Sequence, residues 1–225
     1  MSKKILVSLA ITVIIAIAIL LMMKISVKAP IQSAKIEENG QKPISGSGEY
    51  VLNQTESILK AHGNKPLVPG YTDNSMANFK EGYVTLTDGK ISGSFKVDMN
   101  SIAIESTSRK SGESMLERHL KSPDFFNVEK YPESGFEIKS TEKTDEDDLY
   151  MVTGDLTLKE MTQSISFPTV IYMKNNQLKA EGSIGLDRTK WDIRYGSGKF
   201  FGNLGDNLIG DIFTVEFKIT ADPKK

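Results

Sequence analysis

Apolar and polar residues alternate with a period of two over much of the chain. Ile91, Gly93, Phe95, Val97 and Met99 interleave with Ser92, Ser94, Lys96 and Asp98. Tyr150, Val152, Gly154, Leu156 and Leu158 form a second row, and Ile165, Phe167, Thr169, Ile171 and Met173 a third. Leu178, Ala180, Gly182, Ile184 and Leu186 make a fourth; Phe213, Val215, Phe217 and Ile219 make a fifth. Successive side chains of a strand point to opposite faces, so each row predicts a strand with one apolar face. Asp88-Gly89 separates Tyr83–Leu86 from Ile91, and Asn175-Asn176 separates two of the rows. Both pairs tolerate the left-handed backbone of a tight hairpin turn, which makes their neighbours antiparallel.

One segment breaks the alternation. Ser111–Lys121 carries Met115, Leu116, His119 and Leu120 at helical spacing, and Pro123 stops any long continuation. A short helix is predicted there, with a second short helical piece near Gly202–Leu208. The remaining strands must cover their apolar faces, either by closing into a barrel or by packing as two sheets. The fold class these rows predict is all-β and antiparallel with one short helix, with barrel and two-sheet sandwich both open. Eight strands enclose an interior just wide enough for side chains or one small ligand. Gly93, Gly154 and Gly182 fall at inward-capable positions, where they either leave space inside or mark bulges and sharp bends.

The N-terminus has a different pattern. Lys3 and Lys4 precede an apolar run from Ile5 to Met23 broken only by Ser8 and Thr12. At about 1.5 Å per residue the run is roughly 28 Å long, close to the thickness of a bilayer's hydrocarbon core. A cleaved signal would carry a shorter apolar region of about 7–15 residues, and the nearest small-x-small site, Val27-Lys28-Ala29, is obstructed by Pro30. Residues 1–24 are therefore read as a transmembrane signal anchor in preference to a removed signal peptide. Residues 25–48, with Pro30, Pro43 and Ser45-Gly46-Ser47-Gly48, are read as a flexible linker, and 49–222 as the barrel domain. The domain is expected to be extracytoplasmic, in the periplasm or at the cell surface.

Charge and cysteine content narrow the function. The 225 residues hold 28 Lys and Arg against 29 Asp and Glu, interspersed, which leaves no electrostatic footprint for nucleic acid. There is no cysteine, so disulfides, thiolate metal sites, cysteine nucleophiles and a lipid-bearing cysteine are excluded.

Four stretches resemble one known family. His119-Leu120-Lys121-Ser122-Pro123-Asp124-Phe125-Phe126-Asn127-Val128-Glu129-Lys130-Tyr131-Pro132 is similar to the signature of the YceI-like family, periplasmic proteins akin to a polyisoprenoid-binding protein. Val97–Ile102 resembles the family's strand-ending pattern, and Gly154-Asp155-Leu156-Thr157-Leu158-Lys159 its Gly-x-Leu-Thr-x-Lys pattern. Asp187–Trp191 followed by Tyr195-Gly196-Ser197-Gly198 resembles a C-terminal block of one branch. The resemblance implies an all-β, antiparallel eight-stranded lipocalin-like barrel, a helix covering one side, and a long isoprenoid chain in an apolar channel. Ile58–Ala77 departs from the family's early strands.

Candidate chemistry is sparse. His62 and His119 are the only histidines, and neither has a companion at metal-ligand spacing. Asp145-Glu146-Asp147-Asp148 reads as a solvated hairpin tip. Gly196-Ser197-Gly198 lacks the spacing of a phosphate loop and reads as a turn. Phe125 and Phe126 either line the channel or plug the barrel base. Arg188 is expected either in a structural salt bridge or reaching a polar head group, with Trp191 as an apolar wall. The inward faces are expected to include Phe95, Val97, Met99, Leu156, Leu158, Phe167, Ile171, Ile184, Val215 and Phe217. Each ligand methylene removed from water contributes about 0.8 kcal/mol, so a long-chain apolar, isoprenoid-like ligand needs no specific polar contact and no cofactor. Two other readings stay open: an adhesion or interaction module with a filled barrel, and a lipid- or quinone-modifying enzyme in which Asp98, His119 or Arg188 point inward together.

Overall fold

Asp88 and Gly89 both take positive φ, 49° and 77°, as do Asn175 and Asn176 at 53° and 64°. Two residues of this kind twist a turn in the sense of the strands it joins, so both hairpins form where the sequence places them. The computed structural model describes residues 40–110 and 112–225. In chain order the elements are β1 (Gly48–Leu52), β2 (Ile58–Asn64), β3 (Thr72–Thr87), β4 (Lys90–Thr107), α1 (Glu113–Lys121), β5 (Glu133–Lys143), β6 (Leu149–Leu158), β7 (Met161–Lys174), β8 (Gln177–Asp187) and β9 (Ile212–Pro223). Short 3₁₀ turns at Arg188–Trp191 and Gly205–Asn207 lie in the β8–β9 connection, the second within the stretch predicted to be helical.

All the strands join one antiparallel sheet that closes on itself. Its order is β1-β3-β2-β9-β8-β7-β6-β5-β4, and β4 pairs back to β3. The nine segments fill eight places in the ring. β1 pairs Gly48–Val51 with β3 and Tyr50–Leu52 with β9, while β2 pairs farther along the same two strands. The two are therefore one barrel position interrupted at Asn53–Ser57. Asn53 holds the interruption by accepting from the Glu56 N–H at 3.1 Å and donating its side-chain N–H to Asp222 at 2.9 Å.

The barrel has two unlike ends. The β3–β4, β5–β6 and β7–β8 turns sit at the hairpin end. The β2–β3 loop, α1 and the long β8–β9 connection sit at the helix end. The hairpin end is sealed by buried Leu86, Ile91, Tyr150, Leu178 and Ala221, with Ile44 packed among them. The Lys42 N–H and C=O exchange hydrogen bonds with Met173 at 2.9 and 2.8 Å. The linker expected over 25–48 therefore gives way to fixed structure in its last residues, because Ile44 is needed as a stopper. The anchor expected over 1–24, and the linker up to residue 39, lie outside the described residues. Among the described residues no helix is long and apolar enough to cross a membrane.

At the helix end, α1 buries Leu116. Met99, Ile102 and Val128 form a cluster beside it, with Leu120 and Phe126 packed on. Trp191, fully buried, joins Leu158 and Leu186 beneath the β8–β9 connection. Burying an indole of roughly 150–250 Å² stabilises by at most about 6 kcal/mol, so this side chain helps clamp that connection.

Candidate ligand cavity

The inward rows do not fill the barrel. A cavity of about 220 Å³ remains, walled by 33 residues, of which only Lys60, Ser75, Ser134 and Thr169 have polar side chains. The Lys60 ammonium is taken by Glu105 at 2.8 Å, and the Ser75 hydroxyl donates to the Ala61 carbonyl at 3.3 Å. The Thr169 hydroxyl is buried without a partner. For comparison, an apolar cavity of about 150 Å³ in another protein stays dry and binds benzene.

The inward glycines do not leave that space. A Cβ on Gly154 would collide with the Phe136 ring and the Glu137 carbonyl, and one on Gly182 would meet the Phe217 ring at 2.8 Å. Gly82 stands in the same relation to Phe95, 2.6 Å away, and Gly93 lies against the backbone of Tyr83 and Val84. Each ring lies over a glycine on a neighbouring strand, an aromatic covering for a missing side chain. Phe167 packs between two of these rings, with centroids 5.5 Å from Phe136 and 5.7 Å from Phe217.

Eleven of the residues predicted to line the channel do line this cavity: Phe95, Val97, Met99, Phe126, Leu156, Leu158, Phe167, Ile171, Ile184, Val215 and Phe217. Three do not. Phe125 lines a second, smaller space of about 90 Å³ at the helix end, which shares Ala61, Ser75, Phe126 and Phe213 with the main cavity. Trp191 faces neither space, because its ring completes the buried cluster and its Nε1–H donates to the Leu156 carbonyl at 3.2 Å.

Arg188 borders the smaller space, and each of its three nitrogens donates to a backbone carbonyl. Nε, Nη1 and Nη2 donate to the carbonyls of Gly210, Ile193 and Ile209 at 3.0, 2.8 and 3.2 Å, and Asp211 lies 3.5 Å from Nη2. The side chain is 4% exposed. It pins the β8–β9 connection and makes the structural salt bridge expected of it. The acid involved is Asp211, across the connection, whereas neighbouring Asp187 binds Lys199 at 2.7 Å and the Thr189 N–H at 3.0 Å. Burial pushes the Asp187 carboxyl up, but these hydrogen bonds outweigh it and hold the group below its usual range.

The smaller space is polar where the larger is not. Tyr71 donates to Asp73 at 3.1 Å, and burial together with that carboxylate pushes its phenol up to about 12. Thr107 also donates to Asp73. His119 packs edge-on between Phe125 and Tyr195, with centroids at 4.9 and 4.5 Å. Burial, reinforced by Arg109, pushes its imidazole pKa down against the weaker pull of Asp124. His62 lies between Asn74, 2.7 Å from Nδ1, and Glu216, 3.5 Å from Nε2. Asp98 lines neither space and accepts from the Asn100 N–H at 3.0 Å. Of the three residues an enzyme reading draws on, His119 and Arg188 both border the smaller space and Asp98 does not. Among the described residues no three His, Cys, Asp or Glu side chains gather as a metal site.

Sequence reasoning missed the β2 and β5 contributions, Leu59, Ala61, Phe136 and Ile138, all of which wall the main cavity. The only signal for them was a short alternation, Phe136-x-Ile138 and Leu59-x-Ala61.

Known proteins share both sequence and fold with this chain. It is 46% identical over 66 residues to a UPF0312 protein of Photorhabdus laumondii, covering 29% of this chain and 30% of that protein. It is 39% identical over 97 residues to Protein YceI of Escherichia coli, covering 40% of this chain and 50% of that one. The chain thus spans half or less of the length of these curated relatives. The fold matches BcnA of Burkholderia cenocepacia with a TM-score of 0.59 at 18% identity, over 75% of this chain and 98% of that one. It also matches a polyisoprenoid-binding domain from Saccharophagus degradans with a TM-score of 0.56 at 15% identity, over 78% and 98% of the two chains. The sequence model of the YceI-like domain matches residues 50–221, well over half the chain, and the chain belongs to that family.

Proposed function

We propose that the barrel is an extracytoplasmic binding protein that holds a long-chain, isoprenoid-like lipid in its apolar cavity for transport or storage. The observation that carries the reading is the space itself, a cavity of about 220 Å³ with almost no polar wall. A domain serving only as an adhesion module gains nothing from it, since an unfilled cavity costs about 24 cal/mol per Å³ in lost packing. The fold neighbour described as polyisoprenoid-binding supports the ligand class. The apolar run at Ile5–Met23 and the lack of cysteine support export with attachment to the membrane.

The size of the space sets a condition. Pockets for drug-sized ligands run from about 300 Å³ upward, so a long chain must extend from the main cavity into the smaller space beyond Phe126 and Phe213. Ala61, Ser75, Phe126 and Phe213, common to both walls, are the threshold it crosses. Native mass spectrometry of the purified protein, followed by organic extraction, tests the reading. A bound lipid with a long hydrocarbon chain is expected; protein that is consistently empty from membrane-containing preparations refutes it.

A further inference from the structure

Among the described residues, the helix end of the barrel carries apolar side chains that nothing covers. Phe200 and Phe201 follow each other in the β8–β9 connection at 44% and 49% exposure, and Leu67 in the β2–β3 loop is 57% exposed. Tyr195 and Met115 are exposed on the same end. These segments are tied to one another: Lys65 donates to the Asp206 carbonyl at 2.8 Å, and the Tyr195 ring packs against His119 of α1. Arg194 stacks on the Phe200 ring at 4.8 Å. Phe200 and Phe201 are also held in place, since both N–H groups donate to the Ser197 carbonyl, at 3.2 and 3.0 Å.

Charge is distributed along the barrel axis. The helix-end segments 65–71, 108–132, 159–160 and 188–211 hold eleven Lys and Arg against eight Asp and Glu, in a chain whose net charge is −1. The opposite, hairpin end carries the acidic run Asp145-Glu146-Asp147-Asp148. Paired exposed aromatics on the more cationic end fit the headgroup region of an anionic bilayer. The cations beside them, Arg194 and Lys199, are exposed but paired with Asp192 and Asp187, so the attraction comes from the net charge of the end as a whole. The acidic tip would be repelled from the same surface. The hairpin end is sealed, whereas the helix end borders the smaller space that adjoins the apolar cavity.

We propose that the helix end docks on an anionic phospholipid bilayer through Phe200, Phe201 and Leu67, so that an apolar ligand passes between membrane and cavity without crossing water. The surface is an inference from exposure and charge; its purpose rests on the cargo reading above.

The chain has no cysteine, so one introduced thiol is unique. A Cβ on Gly202, beside the aromatic pair, meets nothing within 4 Å. The full chain carrying Gly202→Cys, labelled with an environment-sensitive fluorophore, is mixed with vesicles of phosphatidylglycerol and phosphatidylethanolamine containing brominated acyl chains. Asp147→Cys reports on the opposite end. The probe at 202 is expected to shift to the blue and be quenched, while the probe at 147 is not. Adding Phe200→Ser with Phe201→Ser should cut the quenched fraction roughly tenfold, and so should raising salt from about 50 to about 500 mM. Both phenylalanines are half exposed, and circular dichroism checks that the double variant keeps its sheet. Equal quenching at 202 and 147, or none at 202 on any vesicle, overturns the docking; the second result leaves the rim to a protein partner. Lipid extracted from the same samples separates the two claims: cargo without docking refutes only the surface, and docking by an empty barrel refutes only the cargo.

Discussion

At the scale of single residues, the bore is set by phenylalanines lying over glycines. A methyl on Gly154 would drive the Phe136 ring toward the cavity and also strike the Glu137 carbonyl, which is backbone and cannot yield cheaply. Gly154→Ala should therefore destabilise by about 1–3 kcal/mol and reduce bound lipid, read as a lower melting temperature and a smaller extracted fraction. Thr169 is the converse case. Its buried hydroxyl has no partner, so Thr169→Val exchanges an orphaned polar group for a methyl of the same shape. It should stabilise by about 1 kcal/mol and leave lipid content unchanged; a clear loss of lipid would mean that the ligand carries a polar group at that depth. The sequence alternation placed most of these side chains on the inner face. It could not show that the space beside each glycine is occupied, because the covering ring comes from a neighbouring strand. Arg188 shows the same limit: its partner Asp211 is 23 residues away and becomes visible only once the β8–β9 connection is folded.

At the scale of elements, strands with long apolar rows were legible and strands with short ones were not. β2 turns Leu59, Ala61 and Gly63 toward the interior, and β5 offers Ser134, Phe136 and Ile138 before its polar second half. Neither produces a row long enough to stand out from a loop. The hairpin turns divide similarly. Asp88-Gly89 and Asn175-Asn176 announce themselves, but the β6–β7 turn is made by Lys159 and Glu160 with φ of 50° and 59°. Left-handed backbone costs a non-glycine residue roughly 1 kcal/mol or more. Exchanging the pair by Lys159→Asn with Glu160→Gly should raise stability by about 1–2 kcal/mol in a denaturant melt, without moving the cavity wall. The α1 region makes its own prediction. Burial, with Arg109 assisting, keeps His119 less basic in the folded state, so the unfolded chain takes up the proton first. Its contribution is complete above the ordinary histidine value near 6.5 and is lost as pH falls from there to the lower folded value. His119→Phe keeps an aromatic ring against Phe125 and Tyr195 and should flatten stability against pH in that window.

At the scale of the whole molecule, a closed ring resolves the problem that any one-sided sheet faces. Every strand finds two neighbours, with β1 and β2 sharing one place, and the apolar faces meet each other across the bore. Closure leaves a space that side chains alone do not fill, and in a binding protein that deficit is made good by the ligand. Anything that binds only the folded state stabilises it by RT ln(1 + [L]/Kd), about 2.7 kcal/mol when free ligand is a hundred times Kd. Delipidated protein should therefore melt lower than protein reloaded with a long-chain isoprenoid. In a domain of this size the difference amounts to roughly 5–11 °C. Ala180, on the cavity wall beside Phe217, provides the control. Ala180→Leu places a side chain where the ligand would lie, so the empty variant should melt as high as the empty parent or higher, and adding ligand should no longer raise it. If the parent's melting temperature ignores ligand while its fold stays intact, the cavity is only a packing defect. If Ala180→Leu still responds, the chain binds elsewhere on the barrel. A parent that responds beside a variant that does not places the cargo inside the ring.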